Sequence, residues 1–385
     1  ITFNLYNFLN FVFQFFMARM LTPADYGTLA ALFSIIYLTG IFSESIQTVI
    51  VKYSASERDN SKLKNLTLRS IRKSLKISAI IFIAYILLSI PASFMLKIPY
   101  LLLTSTGLII FTSFLCPITR GIMQGTRKFN SLGINMIIES VFKLLLAILL
   151  VYVGWRVYGA IIATIIAMIL AFILSLFALK DILKFKEKFL PVKEIYAYSK
   201  PVFFILFIIL AFYSIDVIIA KIVFPADIAG YYAIASILGK IILFGTQPIS
   251  KAMFPISAEK KNQKGNHLII NSFWIIISCI VPILLIIYFF PEFIIRIFAG
   301  RFIMESANIL FYLSIAFSLI SITSLFLFYR LSRERISNYW IFAAFPIIEA
   351  ILLSIFSHNL VEYSLAFVTS SAIFLWGTIL LSNKQ

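Results

Sequence analysis

Long runs of apolar residues, separated by short polar segments, recur along the whole chain. An α-helix needs about 20 apolar residues to cross the roughly 30 Å hydrocarbon core of a bilayer, and each run is about that long. The pattern predicts an all-α polytopic membrane protein with about twelve membrane-spanning helices. They are expected at residues 3–20, 26–52, 74–95, 99–121, 130–153, 157–180, 200–221, 229–256, 268–291, 303–329, 337–357 and 361–382.

One short polar stretch occurs twice, between the first two predicted spans and again between the seventh and eighth. Residues 18–27 read ARMLTPADYG, and residues 220–230 read AKIVFPADIAG. The tripeptide Ile-Ile-Glu also recurs, at 137–139 and 347–349. A repeat of half the chain length is typical of membrane transporters. In both copies Pro and Gly predict a tight connection between helices, whose role is structural.

The halves are separated by the longest charged segment in the middle of the chain. We predict an N-terminal six-helix lobe at 1–182, a cytoplasmic linker at 183–199 and a C-terminal six-helix lobe at 200–385. Because six is even, both lobes cross the membrane in the same direction. They are predicted to be parallel repeats around a central cavity.

The composition agrees with a membrane protein. Hydrophobic residues make up 61% of the 385 residues and charged residues 13%, where soluble proteins carry roughly 25% charged residues. The mean hydropathy is +1.01. No phosphate-binding loop of ATPases occurs, and neither His267 nor His358 has a metal-ligand partner at useful spacing. Cys116 and Cys279 fall within apolar runs and are expected to be small core residues.

A net charge of +17 could indicate a protein that binds nucleic acid. If the chain starts in the cytoplasm, 25 of the 33 Lys and Arg lie on cytoplasmic segments, six lie on the opposite side and two lie within spans. This asymmetry follows the positive-inside rule, favours both termini in the cytoplasm and makes nucleic-acid binding the weaker interpretation. The chain begins at Ile1 and becomes apolar almost at once, so we expect a few polar residues to precede it.

Charged residues at membrane depth mark candidate functional positions, because each costs roughly 2.5–3.5 kcal/mol on insertion scales. In the span at 130–153, Asn135, Glu139 and Lys143 recur every four residues and share one helix face. Glu139 and Lys143 either neutralise each other as a buried ion pair or lie on a polar face of a water-filled cavity.

Three further charged residues lie within predicted spans, and two of them correspond to a glutamine in the other half of the chain. Asp216 corresponds to Gln14, and both a structural hydrogen-bonding role and a coupling role for a proton or cation are open. Glu44 corresponds to Gln247. Lys240 lies within the span at 229–256.

Two arginines lie at the ends of spans. Arg19, at the outer end of the first span, is either an interfacial cation or a ligand of substrate phosphates. Arg120, at the cytoplasmic end of the fourth span, either follows the positive-inside rule or meets an anionic head group.

Several of these stretches together resemble one family. Residues 18–27 with the following span, RGIMQG at 120–125 with the span that carries Glu139, and residues 216–256 resemble the Wzx-type polysaccharide flippases. These belong to the polysaccharide biosynthesis protein family of the multidrug/oligosaccharidyl-lipid/polysaccharide exporter superfamily. The resemblance covers nearly the whole chain and rests on the order and spacing of motifs that are individually weak.

The resemblance implies two six-helix lobes forming a V around a central cavity. It also implies a carrier that flips polyprenyl-pyrophosphate-linked oligosaccharides across the cytoplasmic membrane by alternating access, driven by a proton or sodium gradient. No other cofactor and no metal is expected. The expected partners are the lipid-linked oligosaccharide, membrane lipids and other proteins of polysaccharide assembly.

Within that mechanism, position and chemistry suggest two groups of residues. The candidates for binding the substrate anion are Lys143, Lys240, Arg19 and Arg120. The candidates for ion coupling or gating are Asp216, Glu44, Glu139 and Glu349.

Three other functions would leave different features in the sequence. A drug exporter of the same superfamily should favour an acidic cavity, which Lys143 and Lys240 argue against. A polysaccharide polymerase or ligase, an enzyme, should carry a long external loop, and none is visible. A carrier of the major facilitator type lacks its basic glycine signature at residues 56–60.

Overall fold

A computed structural model describes residues 2–190, 195–258, 265–332 and 339–383. Regular structure within these ranges is helical. The α-helices are α1 Thr2–Met20, α2 Pro23–Ser56, α3 Asn60–Leu96, α4 Tyr100–Thr106, α5 Ile109–Gly125, α6 Phe129–Leu150, α7 Arg156–Ala178, α8 Lys180–Leu183, α9 Ile195–Val223, α10 Ala226–Ala258, α11 Gly265–Phe289, α12 Pro291–Ala299, α13 Met304–Ser332, α14 Ala344–Ile355 and α15 Leu360–Asn383. A π-helical turn, Val151–Trp155, joins α6 to α7, and a 3-10 turn, Tyr339–Ala343, precedes α14.

The prediction of an all-α, multi-pass membrane protein is confirmed. Within the described ranges, nine helical stretches are long and apolar enough to cross a membrane. One of them, Phe129–Ala178, contains both α6 and α7, whose junction is marked by Gly154 at a φ of 100°. Large apolar side chains such as Ile80 and Leu88 of α3 are exposed, as a bilayer allows. The total of about twelve spans stays a prediction.

The chain divides into two compact units. Unit 1 consists of residues 1–21 and 35–199, and unit 2 consists of residues 22–34 and 200–385. Residues 22–34, the first turns of α2, therefore group with unit 2, although the sequence pattern predicts them in the N-terminal lobe. Of the predicted linker at 183–199, residues 191–194 lie outside the described ranges.

In unit 1, the fourth predicted span is formed by two helices, α4 and α5. The break falls at Gly107, where a Cβ atom would lie 2.6 Å from the Tyr85 ring. The Gly107 amide donates to the Thr104 carbonyl, a tighter turn than in an α-helix, and the Tyr85 hydroxyl donates to the freed Leu103 carbonyl at 3.0 Å. A tyrosine of α3 therefore satisfies the end of α4.

The chain after α8 is tied to the start of α3 and is here called the linker strap, residues 184–190. Asn65 donates to Glu187 at 2.8 Å and accepts from the Leu190 amide at 3.1 Å. Lys64 donates to the Phe185 carbonyl at 2.8 Å. Leu190 packs in an apolar cluster with Leu63, Leu66 and other residues of α2, α5 and α8.

In unit 2, α10 packs against α13 and α13 against α15. Stacked phenylalanines fill the core; the Phe212 ring lies 4.7 Å from that of Phe374. The repeated Pro-Ala-Asp stretches meet in this unit. A Cβ atom on Gly27 would lie 2.8 Å from the Gly230 nitrogen, and one on Gly230 would lie 1.9 Å from the Pro23 carbonyl oxygen. Only glycine allows two backbones to approach this closely.

Candidate functional site

A polar cluster in unit 1 joins four helices. Glu139, buried on α6, forms an ion pair with Arg120 of α5, and the Tyr6 hydroxyl of α1 donates to its other oxygen at 3.3 Å. The Arg120 Nε donates to the Asn135 side-chain oxygen at 3.0 Å. The Asn135 amide in turn donates to the Ala171 carbonyl of α7 at 2.7 Å. Both Glu139 oxygens therefore have a partner, and its charge is balanced by Arg120.

Lys143 lies one turn further along α6 and has different neighbours. Its side chain is 7% exposed, its ammonium donates to the Asn10 side-chain oxygen of α1, and its Nζ lies 4.8 Å from the centre of the Phe13 ring. Asn10 is held by its own bond to the Tyr6 carbonyl at 2.9 Å. The ion pair of Glu139 with Lys143, one of two sequence interpretations, is not formed, because Arg120 and Tyr6 occupy the carboxylate. Lys143 is a buried cation whose neighbours are an amide and an aromatic ring.

A second cluster lies in unit 2 and brings Asp216 and Lys240 together. The Lys240 Nζ is 3.3 Å from the Asp216 carboxylate, and both side chains are buried. The Asp216 carboxylate also accepts from Ser236 at 2.7 Å and from Tyr232 at 3.3 Å. The Tyr363 hydroxyl of α15 donates to the Asp216 backbone carbonyl at 2.6 Å. Asp216, on α9, is therefore held by side chains of two other helices, α10 and α15.

Glu349 lies near the same cluster, but its carboxylate differs from that of Asp216 in its hydrogen bonding. It is fully buried on α14 and lies within electrostatic range of Asp216 and Lys240. Neither of its carboxylate oxygens has a hydrogen-bond partner among the described residues. An ionised carboxylate in this situation bears its full desolvation cost, so the group suits the uptake of a proton or a cation.

The remaining two sequence candidates lie outside both clusters. Arg19 is exposed in the last turn of α1, with its guanidinium 4.3 Å from the centre of the Phe15 ring. Glu44 is exposed on α2. Arg120, in contrast, lies in the first cluster, where its guanidinium binds Glu139 and Asn135.

Apart from Asn135, sequence reasoning missed the hydroxyl and amide partners of these charges. Tyr6 and Asn10 are four residues apart on α1, and Tyr232, Ser236 and Lys240 are each four apart on α10. Four-residue spacing of polar side chains within an apolar helix is the signal that identifies such a face.

An apolar groove of about 520 Å³ lies beside the second cluster. It is lined by Ile215 of α9 and by residues of α14 between Pro346 and Ile355. Ile215 and Ala350 are the chain neighbours of Asp216 and Glu349. The groove can accept a flexible hydrocarbon chain.

Comparison with known sequences gives one family and one curated relative. The model of a family described as polysaccharide biosynthesis protein matches residues 16–308. A membrane protein of Methanocaldococcus jannaschii, itself uncharacterised, is 26% identical over 269 residues, which is 66% of this chain. The chain spans 64% of the length of that relative.

Comparison with solved structures identifies the fold. An inward-facing multidrug resistance transporter of the MATE family, in the MOP superfamily, matches with a TM-score of 0.74 at 14% identity, over 100% of this chain and 95% of its own. The lipid II flippase MurJ in an inward closed conformation matches with a TM-score of 0.73 at 16% identity, over 100% and 87%. A MOP superfamily transporter of Pyrococcus furiosus, described by a binding pocket of reverse polarity, matches with a TM-score of 0.63 at 14% identity, over 99% and 92%. At these identities the likeness concerns the fold.

Proposed function

Because the chain belongs to the polysaccharide biosynthesis protein family, we propose that it is a flippase for a polyprenyl-pyrophosphate-linked oligosaccharide. It would move this lipid across the cytoplasmic membrane for cell-surface polysaccharide biosynthesis, by alternating access driven by an ion gradient. A fold shared with a transporter and a lipid flippase supports movement of a substrate rather than catalysis. We also propose that both termini lie in the cytoplasm and that other proteins of polysaccharide assembly are partners.

The observation that carries this proposal is the surroundings of Lys143. A pyrophosphate is a dense anion that binds ammonium groups through charge-assisted hydrogen bonds. Lys143 is buried, and its contacts are with the uncharged Asn10 and Phe13. A pyrophosphate oxygen that replaces the Asn10 oxygen would gain a full charge interaction without first breaking an ion pair.

The second cluster supports ion coupling. Asp216 neutralises Lys240 when it is ionised. A proton or sodium ion taken up by Asp216 and Glu349 would weaken that pair and make Lys240 available to an anion. Asp216→Asn should therefore remove the dependence of transport on the ion gradient, whereas the matched exposed change Asp227→Asn should not. Unchanged gradient dependence in Asp216→Asn proteoliposomes would exclude Asp216 from coupling.

The groove beside this cluster supports a lipid substrate. Its lining from Ile215 to Ile355 is almost entirely aliphatic. We propose that it holds part of the polyprenyl tail while the pyrophosphate interacts with a cation.

The decisive experiment is reconstitution. A labelled polyprenyl-pyrophosphate oligosaccharide is placed in proteoliposomes, and its arrival in the opposite leaflet is followed with a membrane-impermeant glycosidase. Lys143→Gln should slow flipping by about tenfold or more, because the substrate anion then lacks its charge partner. Lys143→Arg should retain a substantial rate, and Lys76→Gln, at an exposed lysine of α3, should behave like the wild type. Flipping by Lys143→Gln at the wild-type rate would refute the role of Lys143.

A multidrug cation antiporter is the second candidate, supported by the fold of the MATE transporter. The buried Lys143, whose contacts are with the uncharged Asn10 and Phe13, disfavours it, since its charge would repel an organic cation. Transport of a fluorescent organic cation by proteoliposomes that do not flip the lipid-linked sugar would establish this alternative.

A further inference from the structure

Glu139 has two candidate cationic partners in unit 1, one on its own helix and one on a neighbouring helix. Lys143 follows it by four residues on the same helix, the arrangement in which a glutamate and a lysine attract each other most favourably. Arg120 approaches from α5. The carboxylate is paired with Arg120, and Lys143 is directed to Asn10 instead.

Glu139 pairs with Arg120 and not with Lys143 for a geometric reason. A guanidinium offers several donors in one plane, whereas an ammonium is a single charged point. Arg120 uses this plane to bind Glu139 and Asn135 together, and Asn135 anchors the set to the Ala171 carbonyl. The Tyr6 hydroxyl donates a hydrogen bond to the other Glu139 oxygen.

The consequence is a separation of charge along α6. Glu139 and Arg120 form a neutral pair, and the positive charge one turn away on Lys143 is left without a carboxylate among the described residues. If Glu139 were released from Arg120, we expect its carboxylate to pair with Lys143, four residues further along the same helix, and this face of α6 would then carry no net charge.

We propose that Arg120 is a positioning residue that holds Glu139 away from Lys143 and so preserves the positive charge of Lys143 for the substrate pyrophosphate. The proposal rests on the function proposed above and deepens it. It replaces a direct substrate contact of Arg120 by an indirect effect. In this view Arg120 acts on substrate affinity only as long as Glu139 carries a carboxylate.

This dependence makes the proposal testable by a double substitution. The purified full chain in lipid nanodiscs is titrated with farnesyl pyrophosphate, a short prenyl pyrophosphate, by calorimetry. Arg120→Gln should raise the dissociation constant by about tenfold or more, because Glu139 then neutralises Lys143. Glu139→Gln should bind at least as tightly as the wild type. The double variant Arg120→Gln/Glu139→Gln should return to within about threefold of the wild type, which corresponds to roughly 0.7 kcal/mol.

The outcomes separate the two proposals. A double variant as weak as Arg120→Gln would overturn the positioning role, because it would show that Arg120 contacts the substrate or only supports the fold. Wild-type affinity in Arg120→Gln would overturn it as well. A wild type whose binding is absent or unaffected by Lys143→Gln would instead contradict the substrate site itself.

If Arg120→Gln does not fold, Arg120→Lys provides a second test, because it keeps the charge but loses the planar donors. It should give an intermediate dissociation constant that Glu139→Gln again restores. Failure of that restoration in a variant with a wild-type melting temperature would refute the proposal.

Discussion

Lys240 and Asp216 form an ion pair with an Nζ to carboxylate distance of 3.3 Å, in a part of unit 2 where both side chains are almost completely shielded. Ser236 and Tyr232 complete the hydrogen bonding of the carboxylate. The pair therefore consists of two charges that depend on each other for their stability in an apolar interior.

Removal of Lys240 alone should expose this dependence. Lys240→Met leaves the Asp216 carboxylate buried without its counter-charge, and such losses cost about 3–5 kcal/mol of stability. The melting temperature in detergent should fall, whereas it should be unchanged in Lys76→Met, at an exposed position.

The double variant Lys240→Met/Asp216→Leu removes both charges and should recover most of the lost stability without recovering flipping. A double variant as unstable as Lys240→Met would show that the cluster is held by something other than the ion pair. A double variant that flips normally would remove the pair from the transport cycle.

Removal of the Glu349 carboxylate should raise stability, whereas removal of the Lys240 ammonium should lower it. A buried group without hydrogen bonds costs about 1–3 kcal/mol, so Glu349→Leu should raise stability by about that amount in buffer free of sodium. Flipping should at the same time lose its response to the ion gradient. A large drop in melting temperature in Glu349→Leu would mean that the carboxyl has a stabilising partner.

Asn65 is the side chain that binds the linker strap at two points. Asn65→Ala removes its bonds to Glu187 and to the Leu190 amide, each worth about 1 kcal/mol. Trypsin should then cut at Lys184, Lys186 or Lys188 about tenfold faster, since local opening becomes easier. Lys76→Gln is the control. Equal cleavage rates in the two variants would show that Asn65 does not hold the strap.

The same cleavage tests the orientation of the chain. If the strap is cytoplasmic, trypsin should cut it in inside-out vesicles and leave it intact in right-side-out vesicles. The reverse pattern would contradict the predicted orientation.

Gly230 should tolerate no side chain. In Gly230→Ala the new methyl group would lie 1.9 Å from the Pro23 carbonyl oxygen, so the backbone must move and folding yield should drop sharply. Gly245→Ala is the matched control on the same helix, because a Cβ there meets nothing within 4 Å. The control should gain about 0.5–1 kcal/mol from helix propensity. Comparable yields of both variants would contradict the close approach of the two repeated stretches.

The fold was predictable because membrane spans are a property of local sequence. The apolar runs predicted an all-α multi-pass protein, and the order of weak motifs predicted the family; both are confirmed. The break at Gly107 was not predictable, because it depends on a tyrosine of another helix. The helix α12 lies in a segment too short and polar to be read as a span.

The candidate site was only partly predictable for a related reason. Four-residue spacing correctly places Glu139 and Lys143 on one face of α6, but it does not say which neighbouring helix meets that face. Arg120 of α5 and Asn10 of α1 are supplied by packing, and they decide the partner of each charge. The same holds for Tyr363, which lies 147 residues from Asp216.

The chain of polar contacts in unit 1 has a mechanical consequence. It runs from Asn10 through Tyr6, Glu139, Arg120 and Asn135 to Ala171, and so crosses α1, α6, α5 and α7. In the hydrocarbon core of a bilayer, no water is present to replace a hydrogen bond that is broken. Hydrogen bonds therefore link the four helices, and a motion of α1, α5, α6 or α7 along its axis must first break at least one of these contacts.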